Sequence, residues 1–201
     1  MSCSCTWKDL VKWVKPYLIS PKDAYIEPPK GMIEAFVRRS AYDFAIRSGS
    51  LRKKAYYDIN CGVVDYPIEV DETINDIIEV RVNGRKLERD EFYHEDEIIY
   101  LECKPTKDIE GGICIIYSYA PCTEENCDVP EDFCTHYREA IINGALSNLL
   151  AMPQMDWYSA TESQRYSDMY EQSISRSKTS IRRRKGGRRG NICDIRTKFI
   201  Q

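Results

Sequence analysis

The spacing of apolar residues changes twice along this chain, and this change limits its possible folds more than any other feature. In residues 1–50 and again after residue 121, apolar residues recur every three or four positions, which predicts helices that are buried on one face. Between residues 51 and 121 they alternate with polar residues, which predicts strands. Helices, then strands, then helices is the order of an α+β protein, and it argues against a βαβ nucleotide-binding fold.

Two helices are predicted in the N-terminal part. Thr6 and Asp9 form a capping box that begins a short amphipathic helix. A second helix runs between Gly31 and Gly49, and three prolines between residues 20 and 29 predict an extended linker before it. The first helix is too short to be stable alone, so we expect it to dock on the others.

The middle of the chain predicts five or six antiparallel strands, arranged as a sheet or a small sandwich. Asn83-Gly84 is the strongest short signal for a hairpin turn, and Gly111-Gly112 precedes the last apolar run. The alternating runs comprise Tyr57, Ile59 and Cys61; Val64, Tyr66 and Ile68; Ile78, Val80 and Val82; Leu87, Phe92 and Tyr93; residues 98–101; and residues 113–119.

The C-terminal part predicts a hairpin of two helices. Pro130 suits a first helical turn, Pro153 stops the first helix, and Ser159 and Glu162 form a capping box for the second. Gly144 lies midway along the first helix at a cost of about 1 kcal/mol in helix propensity relative to Ala, so we expect close helix packing there, within the chain or between copies. The apolar face of this helix is Phe133, Tyr137, Ala140, Ile141, Ala145, Leu149 and Met152.

The second hairpin helix has a narrow apolar stripe surrounded by serines. Burial of apolar surface stabilises a helix by roughly 25 cal/mol per Å², and so narrow a stripe offsets little of the entropy lost when a long helix becomes ordered. We therefore expect the stripe to need further contacts with neighbouring subunits. Its members are Tyr166, Met169, Tyr170, Ile174 and Ile181.

These patterns divide the chain into four parts. We predict a helical bundle made of the N-terminal helices and the long C-terminal helical hairpin, with an inserted antiparallel β unit and a flexible basic C-terminal arm. The parts are residues 1–50 (N-terminal helices), 51–121 (β unit), 122–183 (helical hairpin) and 184–201 (basic arm).

Charge is distributed unevenly. Ten Lys or Arg and one Asp lie between Arg176 and Lys198, a net charge of +9, which leaves −12 for the rest of a chain whose total is −3. An acidic body repels a phosphate backbone, whereas a basic arm is typical of a segment that binds a partner. Ordinary solubilising charge is the alternative interpretation.

Nine cysteines are scattered along the chain, an odd number. No apolar run is long enough to span a membrane and no signal peptide is visible, so we expect a soluble protein made in the cytoplasm, with mostly free thiols. Zinc binding by Cys122, Cys127, Cys134 and His136 is the alternative, although their spacing matches no standard zinc site.

Few residues suggest catalysis. His94 and His136 lie in no nucleophile motif, and the glycine pairs at 111–112 and 186–187 lack the spacing and context of a phosphate-binding loop. We therefore expect no enzyme activity, no cofactor and no metal.

One set of residues keeps an enzymatic alternative open. Glu102-Cys103-Lys104, with Asp90 or Asp96 upstream, has the Glu-x-Lys form of metal-dependent nucleases. In that chemistry carboxylates hold magnesium and the lysine supports the attacking water. A three-residue pattern of this kind is common by chance, so the nuclease is a remote alternative.

The chain resembles the head-to-tail adaptor, or connector, proteins of tailed bacteriophages, in particular the portal-proximal ring adaptor of short-tailed phages. The resemblance covers residues 30–183, with an amphipathic N-terminal segment, a β insertion, a Gly-Ala-Leu helix, a Met-Pro stop and a long second helix. The matching residues are 117–121, 129–130, 137–153, 157–158 and 160.

The resemblance implies a structural virion protein located at the head–tail neck. Its copies would form a ring, a dodecamer, that joins the capsid portal to the next tail or neck protein and extends the channel through which double-stranded DNA passes without sequence-specific contacts. It implies no membrane partner. A nucleic-acid-binding DNA-packaging factor is the alternative. The predicted portal or subunit interface is Tyr166, Tyr170, Ile174, Ile181, Arg182, Arg183, Arg184, Lys185, Arg188 and Arg189.

Overall fold

A computed structural model describes residues 5–18, 28–29, 31–95, 97–122 and 127–186, with the backbone alone for 182–186. Its helices are α1 (Trp7–Val14), α2 (Met32–Ser48), α3 (Glu131–Thr135), α4 (Arg138–Leu150) and α5 (Ala160–Gly186), with a 3₁₀ turn at Lys15–Tyr17. Its strands are β1 (Arg52–Ile59), β2 (Asp65–Pro67), β3 (Thr73–Val82), β4 (Arg85–Lys86), β5 (Phe92–Glu95), β6 (Ile98–Leu101) and β7 (Ile109–Ala120). The predicted α+β class with antiparallel strands is confirmed.

The two N-terminal helices begin and end close to the predicted residues. The Asp9 carboxylate accepts hydrogen bonds from the Thr6 amide at 3.0 Å and from the Thr6 hydroxyl at 2.8 Å, which holds the first turn of α1. Gly49 follows α2 with a φ of 59°, a left-handed conformation that glycine adopts without a steric penalty. The linker predicted before α2 lies outside the described residues except for Pro28 and Pro29.

The strands form two antiparallel sheets. The larger has the order β1-β7-β3-β4 and the smaller the order β2-β6-β5. Asn83 and Gly84 form the predicted two-residue turn between β3 and β4, with φ values of 49° and 77°. The described residues hold seven strands where five or six were expected; the strand that no alternating run predicted is β4, which is only two residues long.

Two hydrophobic cores hold the described residues together. The helical core joins all five helices, and the β core lies between the two sheets. Tyr119, which is half-buried near the end of β7, packs against both cores. The largest fully buried side chains of the helical core are Leu10, Leu18, Phe44, Leu51, Phe133, Ile141, Leu146 and Leu149, and those of the β core are Ile59, Ile99, Ile113 and Ile115.

The first helix of the predicted hairpin is interrupted. The amides of His136 and Tyr137 both donate to the Asp132 carbonyl, at 2.9 and 3.0 Å, so the helical ladder is broken between α3 and α4. The expected single helix is therefore corrected to a short helix and a longer one. Tyr137 at this break packs its ring against Phe44, with ring centroids 5.0 Å apart.

α4 is buried on more than one face. Every residue from Ala140 to Leu146 is buried, whereas the sequence predicted a single buried face. The helix is enclosed because α1, α2 and α5 all pack against it. Burial therefore extends beyond the predicted apolar face, while Arg138, Glu139 and Asn148 of this helix remain exposed.

α5 passes α4 in the opposite direction at close range. The Ser159 amide donates to the Leu150 carbonyl at 3.0 Å, and the Ser163 hydroxyl donates to the Ser147 carbonyl at 2.8 Å. A Cβ added to Gly144 would lie 2.8 Å from Cε2 of Tyr170, so only glycine leaves room for the ring. The close packing expected at Gly144 is therefore a contact within the chain.

Two disulfides correct the expectation of mostly free thiols. Cys5 is bonded to Cys134, and Cys122 to Cys127. The first bond forms because the start of α1 and α3 lie side by side in the helical core, with Cα atoms 6.3 Å apart. The remaining described cysteines, Cys61, Cys103 and Cys114, are free, and Cys3 and Cys193 lie outside the described residues.

The disulfides also use three of the four residues weighed as zinc ligands. Cys122, Cys127 and Cys134 are each bonded to another cysteine, and His136 is exposed. In the described part of the chain, no three His, Cys, Asp or Glu side chains are grouped so that they could hold a metal ion. Nor does that part contain a helix that is both long and apolar enough to cross a membrane.

Candidate interaction surfaces

A polar network fastens α5 to α2. The Tyr170 hydroxyl lies 3.1 Å from the Ser40 carbonyl and 2.8 Å from the Asp43 carboxylate. Arg47 on the same face of α2 donates to Asp43 at 3.3 Å and to Glu171 at 2.5 Å. These contacts join two helices that are separated by more than a hundred residues, so they position the first half of α5 on the body of the protein.

The charges of this network reinforce it. Burial raises the pKa of Tyr170, and the neighbouring Asp43 carboxylate raises it further, so the phenol stays protonated. The hydrogen bond from Arg47 lowers the pKa of Glu171, and the same bond raises the pKa of Arg47. Tyr170, Arg47 and Glu171 therefore keep the protonation states that the network needs at neutral pH.

The residues predicted as an interface fall into three groups. Tyr166, Tyr170 and Ile174 are buried in the helical core, and Ile181 is half-buried. The apolar stripe that was expected to need neighbours is thus largely covered by the chain itself, through α2 and α4. Arg182, Arg183, Arg184 and Lys185 lie on the helical backbone of α5, and Arg188 and Arg189 lie outside the described residues.

An open groove lies between α1, α4 and α5, and we call it the aromatic groove. Its volume is about 390 Å³. Trp13 and Tyr17 on its rim are each 53% exposed and Met169 is 43% exposed, unusual values for large apolar side chains. The residues that line it are Trp13, Tyr17, Arg138, Glu139, Ile142, Asn143, Leu146, Arg165, Tyr166 and Met169.

Guanidinium groups stack on the aromatic rings of this groove. Arg138 lies over Trp13 at 4.6 Å, and Arg165 lies over Tyr166 at 4.9 Å. Arg165 also pairs with Glu162, whereas Arg138 makes no ion pair with any described residue. The rim therefore offers a cation, already positioned by an indole ring, to an acidic partner.

Asn143 lines the groove with an unused amide. The residue is 9% exposed, and its side chain forms no hydrogen bond with any other described residue. Its amide is open to the groove, where a ligand that supplies a hydroxyl or a backbone group can bond to it.

A second uncovered surface lies on the β2-β6-β5 sheet, and we call it the tyrosine face. Tyr93 is 51% exposed and stacks on Tyr100 with ring centroids 4.7 Å apart. The strand pairing places Glu95 and Ile98 next to this pair on the same side of the sheet. The tyrosine face consists of Asp65, Pro67, Tyr93, Glu95, Ile98 and Tyr100.

Sequence patterns missed both surfaces. The sequence predicts Trp7, Leu10, Val11 and Val14 as the apolar face of α1, and the tryptophan outside that face, Trp13, is the signal that could have identified the groove. Arg138, Asn143 and Tyr17 carried no such signal, because their proximity arises only when α1, α4 and α5 pack together.

The residues weighed for a nuclease lie on the surface. Glu102 and Lys104 are exposed just after β6, and the Glu102 amide donates to the Glu91 carbonyl at 3.0 Å, as expected for a strand end. Asp90 is exposed in a turn and Asp96 lies outside the described residues. His94 is exposed on β5.

Comparison with known proteins adds no family to these observations: no protein-family model and no curated protein matches the chain. The two uncovered surfaces and the basic end of α5 are therefore the features from which function is inferred.

Proposed function

We propose that the protein is a structural component of a virion neck. Its copies form a ring, a dodecamer by the resemblance to phage adaptors, that joins the capsid portal to the next tail component and extends the channel for double-stranded DNA. The end of α5, with the arm that follows it, docks on the portal. The observation that carries this proposal is the continuation of α5 beyond its buried stripe, into a run of positive charge.

α5 is long for a chain of this size. Its 27 residues span roughly 40 Å at about 1.5 Å per residue. Ser177 is its last buried side chain among those described, while the helical backbone continues to Gly186. The sequence places Arg182, Arg183, Arg184 and Lys185 on that last stretch. A helix that presents four cations at its end is suited to an acidic site on another protein.

The distribution of charge also supports a channel protein. The part of the chain outside residues 176–198 carries −12, as derived from its sequence above. A surface of that sign gains no affinity by neutralising phosphates, so duplex DNA can pass without being held. The two uncovered surfaces support assembly, because a ring subunit contacts neighbours on two sides.

Truncation tests the role of the end of α5. A chain that stops after Ile181 lacks the basic run, and we expect it to lose binding to the portal protein of the same virus, because its charged end is gone. A chain that stops after Gly186 keeps the four cations and is the matched control. Co-purification followed by electron microscopy measures binding and ring formation.

Two outcomes would contradict this proposal. If the chain that stops after Ile181 binds the portal as well as the full chain does, the end of α5 has no docking role. If the full chain forms no ring with the portal at any concentration, the adaptor function itself is wrong.

A DNA-packaging factor is the second candidate, favoured by the ten Lys and Arg residues between Arg176 and Lys198. In that case the full chain would bind duplex DNA with an affinity that falls steeply with salt. A gel-shift assay that compares the affinity for duplex DNA at about 50 mM and about 200 mM salt tests this candidate. No shift at the lower salt concentration would exclude this candidate.

A further inference from the structure

We infer that neighbouring copies of this chain meet head to tail, with the tyrosine face of one copy seated in the aromatic groove of the next. This inference rests on the proposed ring and specifies which surfaces build it. The two surfaces belong to different regions, since the groove lies between helices and the tyrosine face lies on the smaller sheet.

A ring requires two different patches on each subunit. A contact in which the same patch meets itself closes after two copies, whereas a contact between unlike patches propagates until the ring closes. The aromatic groove is concave and the tyrosine face lies on a sheet, so they differ in shape. Together they satisfy the requirement for a heterologous interface.

The charges of the two surfaces are opposite in sign. Arg138, Arg165 and Glu139 line the groove, a net charge of +1, and the Arg138 guanidinium makes no ion pair with any described residue. Asp65 and Glu95 on the tyrosine face carry −2 and make no ion pair with a described residue either. The β unit as a whole carries sixteen Asp or Glu against nine Lys or Arg between residues 51 and 121. Complementary potentials of this kind orient two partners and exclude contacts between like surfaces.

The apolar and polar groups match as well. The hydroxyl groups of Tyr93 and Tyr100 form no hydrogen bond with any described residue, and Asn143 in the groove has an unused amide. A tyrosine that enters the groove would bury its ring against Trp13 and Met169 and bring its hydroxyl to the amide. Tyrosine and tryptophan are the residues that most often anchor protein interfaces.

The outer face of the larger sheet is a poorer candidate. Tyr56 is exposed there, but the charged neighbours are already paired within the chain, with Glu79 bonded to Arg81 at 2.5 Å and lying 3.9 Å from Lys86. Its charges therefore gain less from a partner than those of the tyrosine face.

Charge reversal tests the pairing. Arg138→Glu reverses the groove and Glu95→Arg reverses the tyrosine face, and both residues are exposed, so the fold tolerates the changes. We expect each variant alone to weaken self-association about tenfold, because like charges then meet across the contact. Sedimentation velocity up to millimolar protein, at low and high salt, measures the association. Arg39→Glu and Glu110→Arg are exposed controls outside both surfaces and outside the basic run.

Mixing the two variants gives the decisive result. In an equimolar mixture every contact between unlike copies joins opposite charges again, so association should return to within about threefold of the unaltered protein. A mixture that stays as weak as its components would overturn the inference.

Failure of this inference can be separated from failure of the proposed function. If the unaltered chain assembles, alone or with portal, and neither reversal weakens assembly, a different surface forms the contact while the ring stands. If the unaltered chain stays monomeric at every concentration and with portal, both the ring and this contact are wrong.

Discussion

The helical region and the β unit of this protein are stabilised in different ways. The helical region gathers segments from both ends of the chain, and its core runs from Trp7 to Ile174. Both disulfides lie in it or beside it, and so does the network around Tyr170. The β unit is one continuous stretch with its own core, and its three cysteines are free.

The two regions differ in how far apart in sequence their contacting residues lie. The contacts that close the helical region join residues far apart in sequence, so their formation costs more chain entropy. The β unit is built largely from strands that follow one another closely, although β1 and β7 lie at its two ends. We therefore expect perturbations of the long-range links to loosen the helices while the sheets remain folded.

The largest expected effect is the loss of the Cys5–Cys134 disulfide. This bond closes a loop between residues 129 apart in sequence, and chain-entropy arguments give it roughly 4–5 kcal/mol. The double variant Cys5→Ser/Cys134→Ser should lose about this much stability, measured by urea unfolding. Hydrogen exchange should show faster opening of the helices than of β7.

A matched pair of serine substitutions controls for this experiment. Cys61 and Cys103 are free and exposed in the β unit, so their replacement should change stability by no more than about 0.5 kcal/mol. If the disulfide variant opens the strands and the helices equally, the two regions unfold as one unit and the contrast between them is wrong.

The next effect compares two glycines. Gly144→Ala would place its Cβ 2.8 Å from a Tyr170 ring whose hydroxyl is anchored between the Asp43 carboxylate and the Ser40 carbonyl. We expect a net loss of about 1–2 kcal/mol, because overpacking outweighs a helix-propensity gain of about 1 kcal/mol. Gly112→Ala in β7 would place its Cβ 2.6 Å from Cδ1 and 2.8 Å from Cγ1 of Ile59, and 3.0 Å from Cβ of Ile109. Because Ile59 is fully buried and a Cβ moves only with its backbone, this variant should lose at least as much stability as Gly144→Ala. Thermal unfolding of both variants checks the order.

Tyr170→Phe tests the network between α2 and α5. It removes the hydroxyl that lies 3.1 Å from the Ser40 carbonyl and 2.8 Å from Asp43. We expect a loss of about 1–2 kcal/mol, since an oxygen of the network loses a buried partner. Tyr117→Phe in the β unit is the counterpart, because the Tyr117 hydroxyl donates to Glu72 at 3.1 Å.

The stability difference between each of these two variants and the unaltered protein should depend on pH. The pKa of Tyr170 is raised above its ordinary value of 10.0 by burial, so the stability it contributes is fully present below pH 10 and declines as pH rises beyond it. Burial raises the pKa of Tyr117 to about 12, so its contribution declines from pH 10 through about pH 12. As the pH rises above 10, the free energy of unfolding should therefore fall less in each phenylalanine variant than in the unaltered protein. If the gap in stability between the unaltered protein and the variant grows with pH instead, the tyrosine hydroxyl does not stabilise the fold in its protonated form.

The smallest expected effect lies at the start of α1. Hydrogen bonds from Lys12 and Thr6 lower the pKa of Asp9 from 3.8 to about 2. The stability linked to this carboxylate is present above pH 4 and is lost as pH falls through about 2. A carboxyl NMR titration of Asp9 should show a midpoint near 2, and a normal midpoint would mean that the capping box is open in solution.

Local patterns predicted the elements of this fold but not their interruptions. The bond between Thr6 and Asp9, the glycine that ends α2 and the Asn83-Gly84 turn all depend on neighbouring residues, and the structure contains each of them. Only half of the predicted box at Ser159 forms: the Glu162 amide donates to the Ser159 hydroxyl, whereas the Ser159 amide donates to the Leu150 carbonyl. The break lies where the Tyr137 ring packs against Phe44 of α2, a contact between distant segments that helical periodicity could not reveal. The same holds for the disulfide between α1 and α3.

The candidate surfaces were less predictable than the elements. The stripe of α5 was correctly identified as apolar, but the sequence could not show that Tyr166 and Tyr170 are covered by the chain's own helices. Conversely, Trp13 and Arg138 are far apart in sequence, and only the packing of α1 on α4 brings them into one groove. An apolar pattern shows that a side chain needs a partner, and it does not identify the partner.

The sequence by itself determined the order of helices and strands, the local caps and turns, and the separation of an acidic body from a basic end, because each of these depends on near neighbours or on composition. Only the tertiary structure decided which cysteines pair, which aromatic rings stay uncovered and where Arg138 and Asn143 face a groove. These features depend on contacts between segments that are distant in the chain, and such contacts leave no periodic signal in the sequence.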